Sequence, residues 1–169
     1  PHCDEVYRQA RKALEKLRAE DKLVREDSPS IYIYRQIMGA HEQTAVVGCC
    51  EIDDYANGVI LRHEKTRKDK EDDRTKHILT TNANTGQVFL TYLDVAAIDW
   101  IVKFECEEEP LYDFTAEDGV RHVVWRARRT EALSHMFEMV PKAYIADGHH
   151  RSAASYRAGM ERRKAAGAA

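Results

Sequence analysis

Lys142-Ala143-Tyr144-Ile145-Ala146-Asp147-Gly148-His149-His150-Arg151-Ser152-Ala153-Ala154 is the stretch around which the rest of the chain is organised. Lys142 to Ala146 reads as a short buried strand and Asp147-Gly148 as a tight turn. From His149 onward, Ala153, Ala154, Ala158 and Met160 recur at roughly helical spacing. A strand that turns on glycine into a helix leaves backbone N–H groups unpaired, all pointing one way. The helix dipole adds partial positive charge there, and His149, His150 and Arg151 add more. Such a place suits a phosphate or another anion. Asp147 at its rim would repel an anion unless it holds Mg2+ or orients a histidine. The plainer alternative is that Asp147 caps the helix, as aspartate often does.

With 169 residues, 43% hydrophobic and 33% charged, the chain has an ordinary globular profile. Its length suits a single domain over 1–169, with an N-terminal helix and linker over 1–27 and a core over 28–169. A net charge of -3 gives no global basic field, so no nucleic-acid partner is expected. No run is long and apolar enough for a bilayer, so no membrane partner is expected either. The N-terminus reads as a charged amphipathic helix rather than a secretion signal. The start at Pro1 and the alanine-rich end point to a piece of a longer protein. The four cysteines include no CxxC pair. Cys49 and Cys50 fall in an apolar run and read as buried, reduced thiols of a cytoplasmic protein.

Along the chain, Val6, Ala10, Ala13, Leu14 and Leu17 form an apolar stripe, predicting a helix over Asp4 to Glu20. Ile31 to Ile37 reads as a strand, and Thr44 to Ile52 as a central strand buried on both faces. Asp53 to Gly58 predicts a helical turn closed by Asn57-Gly58, and Val59-Ile60-Leu61 a short apolar step. Thr66 with Asp69 fits a capping box for a helix that runs to about Asn84-Thr85-Gly86. Val88 to Tyr92 reads as a buried strand, and Ala96 to Phe104 as a helix. An acidic loop follows over Cys106 to Pro110. Leu111 to Thr115 and Val120 to Ala127 predict a hairpin around Glu117-Asp118-Gly119. Thr130 begins a helix stopped by Pro141. The mixture of strands and helices predicts an α+β fold with a mixed sheet and flanking helices.

The second polar constellation is His63-Glu64-Lys65-Thr66-Arg67, between the apolar step and a helix start. A positioned Glu64 carboxylate can accept the proton of an attacking hydroxyl. Lys65, Thr66 and Arg67 at a helix N-terminus can hold a phosphate or a substrate carboxylate. The alternative is a solvated charge run. Thr81-Asn82-Ala83-Asn84-Thr85-Gly86 reads as a polar helix end. His122 and Trp125 read as sheet residues, and His2, His41 and His135 as surface residues. The chain lacks GxxxxGK[ST], GxGxxG and GxSxG. The zincin pattern fails because Arg67 stands four positions after His63, and the spacing shows no third zinc ligand for His149 and His150.

The chain resembles the microbial family named domain of unknown function 1015. The resemblance rests on Tyr32-Ile33-Tyr34-Arg35-Gln36, on Asn57-Gly58-Val59-Ile60 through Arg67, and on Asp72-Asp73-Arg74. It rests also on Thr81-Asn82-Ala83, Thr85-Gly86, Tyr112-Asp113-Phe114, Asp118-Gly119-Val120-Arg121-His122 and Ile145 to Arg151. It spans nearly the whole chain, and it implies members longer at both ends. The Asp-Gly-His-His-Arg loop is also similar to the signature loop of the ParB/sulfiredoxin superfamily, which implies a ParB/sulfiredoxin-like core. In sulfiredoxin a cysteine takes the place of His149, so the resemblance does not imply sulfinic-acid reduction. No helix-turn-helix stands here for ParB-like DNA binding.

The free serine kinases of that superfamily pair an Asp-Gly-His-x-Arg loop with an upstream His-Glu motif. His63-Glu64 and Asp147 to Arg151 match it in type and order, with a longer intervening segment. The resemblance implies a kinase transferring phosphate from ATP or ADP, with Mg2+, to a small hydroxyl metabolite such as free serine. Catalytic roles fall to Glu64, Asp147 and His149, with Asp147 as metal ligand. Lys65, Thr66, Arg67, Gly148, His150 and Arg151 hold the nucleotide phosphates or substrate. The alternative expectation is a nucleotide-binding sensor with little turnover.

Overall fold

In the computed structural model, which describes residues 3–167, the elements run as follows. Helix α1 (Asp4–Ala19) precedes strands β1 (Tyr32–Met38) and β2 (His41–Val47). Helix α2 (Ile52–Ala56), strand β3 (Ile60–Leu61), helix α3 (Lys68–Thr81) and strand β4 (Phe89–Tyr92) follow. Helix α4 (Ala96–Glu105), the hairpin β5 (Tyr112–Thr115) and β6 (Arg121–Arg126), and helix α5 (Thr130–Glu138) come next. Strand β7 (Ala143–Asp147) and helix α6 (His149–Ala165) complete the order. His2, Ala168 and Ala169 lie outside the described residues. The class is α+β, with one antiparallel and one mixed sheet. No described helix is long and apolar enough to cross a membrane.

Where length alone suggests one domain, backbone contacts gather into two compact units. The first comprises residues 1–25, 51–92 and 142–169; the second comprises 26–50 and 93–141.

In the first unit, β7 is the middle strand of the order β3-β7-β4. It runs parallel to β3 and antiparallel to β4. Of β7 only Ile145 is buried, at 1% exposure; Tyr144 and Ala146 are exposed, so the strand is not the wholly buried one expected. Helix α6 packs on α3 and α2, and α1 packs on α3. Ala153, Ala154 and Ala158 put only methyl groups on the buried stripe of α6, which lets neighbouring backbones approach closely. Met160, expected on that stripe, is 40% exposed. Tyr7 of α1 is buried and donates its hydroxyl to Asp73 at 2.5 Å, which pushes its pKa up to about 12.

The expected capping box at α3 is absent. Arg67 occupies the N-cap and makes no capping bond with its side chain, while the Thr66 hydroxyl donates to Glu71, two residues beyond the expected partner. At the far end Asn82 takes a left-handed conformation, ending α3 earlier than the Asn84-Thr85-Gly86 signal suggests. Asp72 accepts from Lys68 at 2.6 Å and pairs with Arg157 at 2.7 Å.

In the second unit the sheet order is β2-β1-β6-β5. β2 is therefore an edge strand, not the central strand expected. Its first three residues are exposed, the ladder stops at Val47, and Ile52 belongs to α2. Cys49 and Cys50 lie beyond the strand end and are reduced and exposed, not buried. Ile33 and Val123 occupy one face of the sheet with Trp125, which is cross-strand to Ile33. With Ile98, Ile101 and Leu133 from the helices, and Ala127 just past β6, they are the buried apolar residues of this unit among those described. The β5–β6 hairpin forms in the expected place, with Gly119 at φ +82° in its turn. His122 is a sheet residue, as expected, bonded to Tyr34 through Nδ1 at 2.7 Å.

Candidate functional site: a glycine elbow facing a His-Glu loop

The site is delivered by the parallel pairing of β3 and β7. Ile60 stands opposite Ala143 and Leu61 opposite Tyr144. Because the strands run the same way, both segments leave the sheet at the same end. Three residues past Leu61 comes Glu64, and three past Tyr144 comes Asp147. Residues on one three-stranded sheet, far apart in sequence, are thereby set side by side. The register against β4 slips between Phe89 and Leu90, next to the elbow. Such irregularities re-aim side chains near sites.

Gly148 adopts φ +99° and ψ +30° as the N-cap of α6. The first helical bond there is Ser152 N–H to Gly148 O at 2.9 Å. The N–H groups of the preceding first-turn residues therefore have no intrahelical partner, which makes the elbow an anion-seeking corner. Asp147 does not cap the helix. Its carboxylate accepts from Arg151 Nη2 at 2.5 Å, and so it orients Arg151 rather than His149. The Arg151 stem lies over Gly86: a Cβ there would sit 3.3 Å from Arg151 Cδ. Ser155 donates to Asn84 at 2.9 Å, so the Thr81–Gly86 segment also stands against α6.

His149 is 6% exposed. Its Nδ1 lies 3.5 Å from the Glu64 carboxylate, and its ring meets His63 edge-on with centroids 4.5 Å apart. His150 accepts from the Arg67 backbone N–H at 3.1 Å. Glu64, Arg74, Asp147, Gly148, His149, His150 and Arg151 line a polar cleft of about 180 Å³. Whole-ligand pockets run to roughly 300–1,000 Å³. The cleft is thus smaller than a site that encloses a whole ligand.

Glu64, Asp147, Gly148, His149, His150 and Arg151 are thus brought together in one cleft. Lys65, Thr66 and Arg67 are not among the cleft residues. The Arg67 guanidinium is held by Asp69 at 2.8 Å, and the Thr66 hydroxyl by Glu71. Arg74 of α3 enters the cleft, although the sequence reading assigns it no site role beyond its place in the family-like segment Asp72-Asp73-Arg74. His63 joins His149 only through the β3–β7 pairing, which leaves no spacing signal in the sequence.

Replacing Gly148 with alanine is expected to destabilise the protein by about 1–3 kcal/mol, because a non-glycine residue at that φ is strained. The added Cβ would stand 3.0 Å from Arg151 Nε and Nη2, so the guanidinium must also move. A urea-denaturation midpoint equal to that of the wild type would contradict this.

An α+β chain with a glycine-elbow, His-Glu cleft is the class these observations define. The chain belongs to the family described as "Protein of unknown function (DUF1015)", which it matches over residues 1–169. Searches of the curated proteins and of the solved structures returned no match.

Proposed function

We propose that the protein is a nucleotide-dependent phosphotransferase acting on a small hydroxyl-bearing metabolite, free serine being the first candidate. The observation that carries the proposal is the 3.5 Å approach of the Glu64 carboxylate to His149 Nδ1 at the mouth of the glycine elbow. That places a proton acceptor beside a phosphate cradle, the two parts that transfer to an alcohol needs. The acceptor hydroxyl attacks the terminal phosphorus of ATP or ADP and gives its proton to Glu64. A new P–O bond forms, and the bond to the leaving nucleotide oxygen breaks. The first-turn N–H groups, Arg74 and Arg151 offset the charge on the equatorial oxygens. His149 stands beside Glu64, its Nδ1 3.5 Å from the carboxylate.

Mg2+ takes oxygen ligands and retains substrate phosphates among them. Glu64 and Asp147 line the cleft with carboxylates, and this donor set fits Mg2+ arriving with the nucleotide, Asp147 being the ligand candidate. When bound, it would neutralise phosphate charge. A ParB/sulfiredoxin-like core, kinship with the free serine kinases and a cytoplasmic setting belong to the same proposal. A nucleotide sensor is the second reading, favoured by the Asp147–Arg151 bridge. A bound phosphate would compete with Asp147 for that guanidinium, so binding alone can alter the elbow.

The test is incubation with ATP or ADP, Mg2+ and a panel of hydroxy amino acids, with phosphorylated product and residual nucleotide both quantified. Product formation on one acceptor is expected. Loss of the proposal follows if no product forms and no nucleotide is consumed.

A further inference from the structure

We infer that His63, Glu64 and His149 form a binding site for one borderline divalent cation of the Zn2+ class. One ligand atom from each residue lies within 4.8 Å of the other two. Tetrahedral coordination at bond lengths of about 2.1 Å sets ligand atoms about 3.4 Å apart. The His149 Nδ1 to Glu64 separation, 3.5 Å, already has that value. His63 and Glu64 are exposed on a stretch with no regular structure, so rotation of their side chains can close the rest.

His149 is the fixed member. Its imidazole is buried, and neither ring nitrogen makes a hydrogen bond within the described residues. A Lewis acid at Nδ1 therefore displaces no hydrogen bond on which the fold depends. Two imidazole nitrogens and one carboxylate oxygen suit Zn2+, Co2+ or Ni2+, whereas Mg2+ and Ca2+ select all-oxygen sets. Three protein ligands leave a fourth position open toward the cleft. Arg74 in the same cleft repels a cation, and Glu64 supplies the opposing charge; Asp147 is already matched by Arg151.

Binding stands independently of phosphotransfer. One consequence rests on the proposed kinase chemistry: a cation on Glu64 takes the lone pair that would accept the substrate proton, so Zn2+ would inhibit turnover supported by Mg2+.

The experiment is a titration of the metal-free chain with Co2+, without nucleotide, followed by visible absorption and by displacement with Zn2+. One Co2+ per chain is expected, with the intense absorption of a four-coordinate site that Zn2+ abolishes. Affinity should fall at least tenfold in His63→Ala and in Glu64→Ala and stay unchanged in His135→Ala. The wild-type positions 63 and 64 are exposed, and far-UV circular dichroism checks that both variants keep the fold. Absence of a saturable band overturns the site. So does a band that persists unchanged in His63→Ala and Glu64→Ala, or one that is equally weakened in His135→Ala. Because no nucleotide is present, failure here leaves the phosphotransferase assay untouched, and failure of that assay leaves this titration untouched.

Discussion

Glu105→Ala is expected to cost about 3–5 kcal/mol of stability, the range for breaking a buried ion pair and leaving its partners unmatched. Glu105 ends α4 and is 1% exposed. Its two oxygens accept from the Arg128 N–H, the Arg129 N–H and Arg129 Nη1, each at 3.0 Å. These donors precede α5, so one carboxylate joins the end of one helix to the start of another. Alanine would orphan two backbone N–H groups and a guanidinium. Glutamine keeps the shape but offers one acceptor oxygen, so Glu105→Gln should cost less, about 1–3 kcal/mol. Burial pushes the Glu105 carboxyl up, but the hydrogen bonds from Arg128 and Arg129 outweigh it and hold the group below the ordinary value of 4.5. A lowered folded pKa means that this contribution is fully present above the unfolded value and fades as pH falls through the folded one. Urea denaturation followed by tryptophan fluorescence should therefore show the wild-type advantage over Glu105→Gln at pH 7, shrinking below pH 4.5. An advantage that grew on acidification would contradict the assigned hydrogen bonds.

Glu105 also shows what a sequence hides. It stands beside Cys106 to Pro110, and an acidic run reads as solvent-facing. Its partners come 23 and 24 residues later, at a spacing no local rule detects. Local chemistry was legible where it decides the outcome locally. Asp118-Gly119 makes the β5–β6 turn because glycine tolerates the positive φ, and Gly148 makes the elbow for the same reason. Position within a sheet was not legible. The apolar run Thr44 to Ile52 resembles a central strand, yet β2 lies at an edge because both neighbours of β1 are antiparallel partners and only β6 has another strand beyond it. Nor was the meeting of His63 with His149 visible, since β3 is two residues long and a pairing that short leaves no periodicity. Residue types at the site could be read; their convergence needed the parallel register.

Glu64→Gln should lower phosphotransfer by about 10²–10⁴-fold, the usual contribution of a positioned general base. Nucleotide affinity should stay unchanged. Glutamine keeps the volume and a hydrogen-bonding oxygen beside His149, so the elbow and its N–H groups are undisturbed, but the amide cannot accept the substrate proton. Glu64 is 62% exposed at its side chain, which leaves it accessible to an acceptor hydroxyl and makes global destabilisation by the swap small. The expected signature is therefore a fall in kcat with the nucleotide-induced rise in Tm retained, since that rise reports binding to the native state alone. Measurement belongs in Mg2+ buffer freed of transition metals, because Glu64 is also a ligand of the inferred cation site. If Glu64→Gln binds nucleotide and turns over at the wild-type rate, Glu64 is not the base. If neither protein turns over while both bind, the elbow serves a sensor, and the exchange of Asp147 for phosphate at Arg151 becomes the event to follow.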